Sequence, residues 1–564
     1  MEHERFVKYN QRMFRRMATS SSTARRLVLH PSLKCFVSRV IDSSTLTKSF
    51  EKIHIFDNSF EILSDTTHSF LIPPDIIVLK RLFALRNQTK AKPEIEIWFQ
   101  PRINDSIKAF LIESGNAPQS ITTTFPTEQN NVASKGVQHI NGITLYDLGV
   151  DILPLDVDVF TMNFSNAFTH AWVFKDLTIT SIVRNSLDIV SQNLGGFISI
   201  TSVGSLSTAI AKTLPPAADS NLTHIILIDR ASDLITPMIS QMNYEGLLAE
   251  FIGIDCGTVA TIDNKSLQIL ASFEDPLFGF LCMMNHSEVS YEISNRMDRV
   301  NGALSKKPDN FSESVEDFRR TAQITIENKT LVDHINLAQG LFEKMKSDKW
   351  FKRAMNAEAD ALDGEINLKD LVNDMLEYGS DLKSEMKLLC LETLLRGSLP
   401  DLQKYIQLIC FNHGVQQVPY LLRAQEAGIF GTSTVKWSNF IKPFQLFVPK
   451  WEELKDQAAA SYLGYAPLSI RVIQKITEGN FNFVSKAMTD DSIKIETWQS
   501  GTSKPEGQYI ICFVGGCTHS ELNSLRRLSK NGKTKFQVLT TNMFSSNEFF
   551  EGLSYGIPGW KSFE

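Results

Sequence analysis

The sequence predicts a mixed fold, α/β plus all-α. Two parallel sheets covered by helices are expected, the second built from two distant stretches of chain with a long helical region inserted between them. Three observations carry this. Over the first ~120 residues, short runs rich in Ile, Val and aromatic residues alternate with helix-spaced segments, as in parallel strands joined by helical crossovers. Residues 223–228 (THIILI) are nearly all apolar, which places that strand at the centre of a parallel sheet, buried on both faces. The final stretch, 465–564, supplies only two clear strands, too few to enclose a core alone, so it is expected to complete the sheet begun around 223–228, an independent C-terminal domain being the other reading.

The N-terminus carries Arg5, Lys8, Arg12, Arg15, Arg16, Arg25 and Arg26 with a Ser/Thr run at 19–23. This composition resembles a mitochondrial leader, but Glu2 and Glu4 interrupt it, and a mobile or helical basic N-terminus is the other reading. Strand candidates follow at 52–56 (KIHIF), 75–79 (DIIVL) and 94–99 (EIEIWF), with helix spacing at 82–86 and 103–113. The polar stretch 115–141 marks a boundary, giving an N-terminal α/β domain at 1–125. A second α/β region spans 140–235. It holds a helix at 177–194, with Leu177, Ile182, Leu187, Val190 and Leu194 at helical spacing, and the apolar strand. Helical patterns then dominate a third, inserted domain at 236–464. The second domain resumes at 465–564 with strands at 509–514 (YIICFV) and 536–539 (FQVL) around a helix at 519–528. Within the insertion, Ile324, Leu331, Ala338 and Met345 recur every seven residues, with Ile335 and Phe342 at the partner heptad position. Such a seam packs either on another helix of the same domain or on a helix supplied by a partner.

Composition excludes several classes. The chain has 564 residues, 57 basic against 63 acidic, for a net charge of −6. That balance argues against a general nucleic-acid binder. At 43% hydrophobic and 21% charged it is not globally disordered. The cysteines at 35, 256, 282, 390, 410, 512 and 517 form no CxxC pair, so neither a disulfide framework nor a zinc finger is indicated, and a reducing compartment is expected. No apolar run approaches the ~18 residues needed to span a bilayer, so membrane association is expected to come through partners.

Two clusters have the residue types of chemistry. At the end of the apolar strand stand Asp229, Arg230, Asp233, Thr236 and Pro237, where α/β proteins usually place ligand sites. Two carboxylates beside an arginine suit a phosphate- or metal-dependent hydrolase. They equally suit an ion pair that locks a domain junction. The chain has no GxxxxGK or GxGxxG phosphate cradle, which favours the junction, and no cofactor is expected. The second cluster is Gly515-Gly516-Cys517-Thr518 with Glu521. It reads as an anion-binding turn with an activated cysteine, or as a tight strand-to-helix turn with Thr518 or Ser520 as the helix cap. The eleven histidines form no HExxH, and no GxSxG elbow supports a serine nucleophile.

In order along the chain, 227–238 (LIDRASDLITPM), Tyr244-Glu245-Gly246, 465–471 (YAPLSIR, with Pro467 and Arg471), 513–521 (FVGGCTHSE), Leu525-Arg526 and 539–541 (LTT) resemble the Sec/Munc-like (SM) family of SNARE-binding proteins, in its vacuolar protein sorting-associated protein 33 branch. Residues 254–257 (IDCG) and 278–281 lean towards the B-like form. The resemblance implies an arch of three domains, no enzymatic activity, and SNARE helices held along the helical domain. It also implies membership of an endolysosomal tether, either HOPS/CORVET or a smaller complex with a spermatogenesis-defective-type partner. Two departures stand out. His30 precedes Pro31-Ser32-Leu33 where the family has Asp, and the segment 432–464 is shorter than in similar proteins. The short segment leaves a third reading open, a tether scaffold without SNARE binding.

Overall fold

The computed structural model describes residues 3–19, 25–57, 59–62, 67–89, 92–114, 137–140, 142–214, 223–260, 267–304, 319, 322, 324–325, 330–365, 367–490, 493–499 and 507–557. The chain opens with a helix, His3–Thr19, whose Phe6, Met13, Phe14 and Met17 are buried. Asn10 Nδ2 pins it by donating to the Ile152 carbonyl at 2.8 Å. The basic N-terminus is thus one face of a packed helix.

The first sheet has six strands, in the order Lys52–Ile55, Arg25–Leu29, Thr67–Ile72, Ile95–Phe99, Ile143–Asp147 and Val137–Ile140. All neighbours are parallel except the last pair. Three sequence expectations change here. Residues 75–79 are not a strand. Asp75 is the cap of the helix Ile76–Gln88, and its carboxylate accepts from the Ile77 and Val78 N–H groups. An apolar run of four opening a helix is indistinguishable from a buried strand by periodicity. Arg25–Leu29 and Thr67–Ile72, both inner strands, were hidden by charged and polar residues at their starts. Finally, Ile143–Asp147 pairs with Ile95–Phe99, so these residues belong to the first sheet and not to the second α/β region. The boundary stretch 115–136 lies outside the described residues.

The second sheet has seven strands: Ile495–Gln499, Ser199–Val203, Thr223–Asp229, Gln508–Val514, Lys535–Thr540, Val159–Thr161 and Leu153–Pro154. Its centre is the parallel pairing of Thr223–Asp229 with Gln508–Val514, in register from Thr223↔Gln508 to Asp229↔Val514. Both edges are antiparallel. The period-2 alternation of a strand divides its side chains between two cores. Ile225, Leu227, Ile510 and Cys512 face one, with the helix Thr178–Leu194 against them, while Ile226, Ile228, Ile511 and Phe513 face the other. Each fully buried Ile or Phe contributes about 1.5–3 kcal/mol, which is why these strands need cover on both sides.

Between the two halves of this sheet the chain is mainly helical. The helices His286–Leu304 and Leu331–Ser347 pack with Tyr244–Phe251 and Pro276–Leu281 around a separate small core. One short hairpin, Thr258–Ala260 with Leu267–Ile269, interrupts the helical pattern. Further on, Leu382–Arg396 is buried on nearly every side and carries the larger core of the insertion. The short segment 432–464 closes that core with Trp437, Phe440, Phe444 and Leu446, each about 1% exposed or less.

Candidate functional site

The residues singled out at 230–237, 465–471 and 515–521 converge in one buried junction. Arg230, fully buried, donates Nη1 to both oxygens of Glu521 at 3.1 and 2.8 Å, and Nε to the Asp233 carbonyl at 3.0 Å. Burial alone would lower its pKa, but the carboxylates of Glu521 and Asp233 outweigh that and raise it. The Asp233 carboxylate accepts from the Thr236 N–H and hydroxyl and from the Ser469 N–H, the last at 2.9 Å. Thr236 Oγ1 also lies 2.9 Å from the Tyr465 hydroxyl. Glu521 takes a further bond from the Ser469 hydroxyl and forms a capping box with Thr518 at the start of the helix His519–Asn531. Pro237 sits in the short 3-10 turn Thr236–Met238, and Pro467 caps the helix Leu468–Thr477. Arg471 fastens that helix to the short segment through Asp456 Oδ2, at 2.6 Å, and the Gln445 carbonyl.

A second network adjoins it. Glu245 accepts from His519 Nδ1 at 2.9 Å, Asn523 Nδ2 at 2.8 Å and Arg526 Nη1 at 3.2 Å. Burial works against its charge, but these donors hold its pKa below the ordinary carboxylate range. Arg526 also grips Asp156 and Asp158, so the strand edge at 153–161, the helix Tyr244–Phe251 and the helix His519–Asn531 share one arginine. Tyr244 reaches the other way, its hydroxyl 3.0 Å from His334 Nδ1, and His334 Nε2 bonds Asp275 at 2.9 Å. Gly246 lets the two helices touch: a Cβ there would lie 2.7 Å from Ser520 Oγ. Gly515 and Gly516, at φ +98° and +102°, make the turn that sequence pattern proposed, and a Cβ on either would strike Trp172 or Phe544 at 2.5 Å.

These contacts decide the chemistry. Asp229 does not converge with Asp233. It turns to the N-terminus of the helix Ser205–Ala211 and accepts from the Leu206 N–H, the Ser207 N–H and the Ser207 hydroxyl at 2.6–2.9 Å. Both carboxylates are 1% exposed or less and already spent on internal donors, so the hydrolase reading is set aside. Cys517 is fully buried, and burial together with Glu521 pushes its thiol well above the ordinary value, the opposite of an activated nucleophile.

Asp229 has a measurable signature. Burial, only partly offset by its donors, pushes its pKa up to about 6. The folded state therefore holds this proton more tightly than the unfolded one, and stability from this group falls as pH rises from about 4 to about 6. Asp229→Asn removes the charge. The stability of the native chain minus that of the variant should decline across this window in thermal melts and level off above it.

Two exposed features remain, both on the helical insertion. The helix Leu331–Ser347 buries Leu331, His334, Leu337 and Leu341. Of the heptad residues, Ile335, Ala338 and Met345 are half-buried against the small core, and Phe342 is 52% exposed. The buried stripe, spaced three, three and four, is thus rotated from the expected seam and shares only Leu331 with it. Val332 and Phe342, 64% and 52% exposed, face outward, with Ile335 half-buried on the same side of the helix. Ile324 is half-buried in a stretch where only scattered residues are described. A second exposed group was not anticipated. Phe411, Val415, Val418 and Leu422 are 86%, 75%, 38% and 57% exposed, running from the end of the helix Leu402–His413 across a turn into Val418–Glu426. Their spacing of four, three and four is visible in sequence but there reads as core. Beside them opens a cleft of about 540 Å³, lined by His413 and Gln417, by Lys383 and Lys387, and by Ser546 and Phe550 of the C-terminal helix.

The chain is thus a sheet spliced from distant segments, locked by buried ion pairs and carrying a helical insertion with exposed apolar side chains. The profile of the Sec1 family matches residues 25–552, and the chain belongs to that family. It is 23% identical over 613 aligned residues to rat (Rattus norvegicus) vacuolar protein sorting-associated protein 33B, covering 94% of this chain and 93% of the relative. It is 24% identical to the vacuolar protein-sorting-associated protein 33 homolog of Arabidopsis thaliana, covering 91% of each. Among solved structures, the SM protein Vps45 in complex with the Qa SNARE Tlg2 has the same fold, with a TM-score of 0.57 at 14% identity over 98% of both chains. So does the Unc18–syntaxin 1 complex of Monosiga brevicollis, with a TM-score of 0.56 at 11% identity over 98% of this chain and 99% of that one.

Proposed function

We propose that this chain is a SNARE-binding SM subunit of an endolysosomal tethering complex, promoting SNARE assembly in vesicle docking and fusion. The observation that carries the reading is the exposure of two separate groups of apolar side chains on the helical insertion, one for each class of partner. The group at Val332, Ile335 and Phe342 suits a SNARE helix laid along Leu331–Ser347, and the name of the Vps45–Tlg2 complex supports a SNARE as the occupant. A pre-organised helix face lowers the ordering cost of the incoming segments and so acts as a template. The stripe from Phe411 to Leu422, with its neighbouring cleft, suits a tether subunit of HOPS/CORVET or a spermatogenesis-defective-type partner. Relatives named for vacuolar protein sorting support a place on late endosome, lysosome or vacuole membranes, reached through such partners. Residues 254–257 and 278–281 support the B-like form.

Binding of purified chain to endolysosomal SNAREs and to isolated tether subunits tests both halves. Phe342→Asp should weaken SNARE binding about 30-fold and leave tether binding intact, and Val415→Asp should do the reverse, as expected of hot-spot residues worth about 2 kcal/mol. Tether binding without SNARE binding in the unaltered chain would instead establish a scaffold. Binding to neither would overturn the proposal.

A further inference from the structure

We propose that the exposed face of the N-terminal helix is a contact surface for an anionic, phosphate-rich lipid bilayer, adding a direct electrostatic hold to the one supplied by partners. Arg5, Lys8, Arg12 and Arg15 are all exposed and follow one another at spacings of three, four and three, so they share one face of His3–Thr19. They span about 15 Å at a rise of 1.5 Å per residue. The opposite face is fixed in the protein by Phe6, Met13, Phe14 and Met17 and by the Asn10 bond to Ile152, so the basic face cannot roll inward. Arg12 and Arg15 also hold contacts within the protein; it is their exposure, not a lack of partners, that makes the face accessible.

The charge here runs against the rest of the molecule. The helix holds five cations and a single acid, Glu4, in a chain whose net charge is −6. Glu4 stands 3.7 Å from Lys8, but both are largely exposed, and such pairs contribute little. A local positive field on a net negative body orients the molecule as it nears an anionic surface. The apolar residues of the helix point into the core, and no helix among the described residues is long and apolar enough to cross a membrane. The contact is therefore electrostatic and lies on the surface without insertion. A bilayer fits better than a nucleic acid or an acidic peptide because the cations form one straight row with no aromatic side chain among the exposed positions to stack a base.

Flotation of the full chain with vesicles, in the absence of SNAREs and tether subunits, tests this separately from the proposed function. Vesicles of phosphatidylcholine with about one-third phosphatidylserine should capture the chain, phosphatidylcholine alone should not, and shortening the Debye length from about 10 to about 3 Å with salt should release it. Each cation near the surface is worth about fivefold in partitioning, so changing Arg5, Lys8, Arg12 and Arg15 together to Gln should lower capture several-hundredfold with an unchanged melting temperature. Equal capture by neutral vesicles, full capture of the variant, or binding of soluble inositol hexaphosphate or duplex DNA as tight as that of vesicles would each overturn the proposal.

Discussion

Arg230→Met should destabilise the protein by about 3–5 kcal/mol, seen as a large fall in melting temperature and in soluble yield. The change removes the guanidinium that meets both Glu521 and Asp233, and it leaves two fully buried carboxylates without that cation. Packing volume is nearly conserved, so the loss is electrostatic. A double variant, Arg230→Met with Glu521→Gln, should recover part of it, because the second change removes one of the stranded charges while its amide oxygen still accepts from the Thr518 N–H. If the single variant melts like the native chain, the junction is not what holds the spliced sheet to the helix at 468–477.

Trp437→Ala should cost a similar amount, about 3–5 kcal/mol, by a different route. Trp437 is 1% exposed, lies with its ring centroid 5.6 Å from that of Phe440, and receives the hydrophobic load of Leu382–Arg396. Its removal opens a cavity in the core that the short segment 432–464 closes. Trp437→Phe fills most of that space and should lose less than half as much in the same melting assay. Equal melting temperatures for the native chain and the Ala variant would mean that the short segment is dispensable for the fold.

The legible part of this fold followed from unmet burial. A strand as apolar as 223–228 requires two neighbours and two covers, and the late runs at 509–514 and 536–539 lack a core of their own, so the splice could be read before any coordinate. Where local pattern is ambiguous, the reading failed. Residues 75–79 look identical as a buried strand or as the first turn of a helix, and it is the Asp75 carboxylate, aimed at two N–H groups, that selects the helix. The junction residues were recognisable as a group, but their roles were not. Sequence places Asp229 and Asp233 four apart, and only the turn at Arg230–Ser232 sends one to a helix end and the other to Ser469. The stripe from Phe411 to Leu422 was invisible as a surface for a simple reason. Helical spacing identifies a face, and nothing in one sequence says whether that face is already covered.

The spliced second sheet has a consequence for how the protein is made. Its central strand, Thr223–Asp229, leaves the ribosome roughly 280 residues before its partner Gln508–Val514. At 5–20 residues per second that interval lasts about 14–56 s. During it the first sheet already has all its strands, while Thr223–Asp229 has only Ser199–Val203 beside it and presents an unpaired apolar edge. Such an edge invites pairing with another chain. Whatever shields it in the interval, a chaperone or the emerging helical insertion itself, governs how much of the protein reaches its native form.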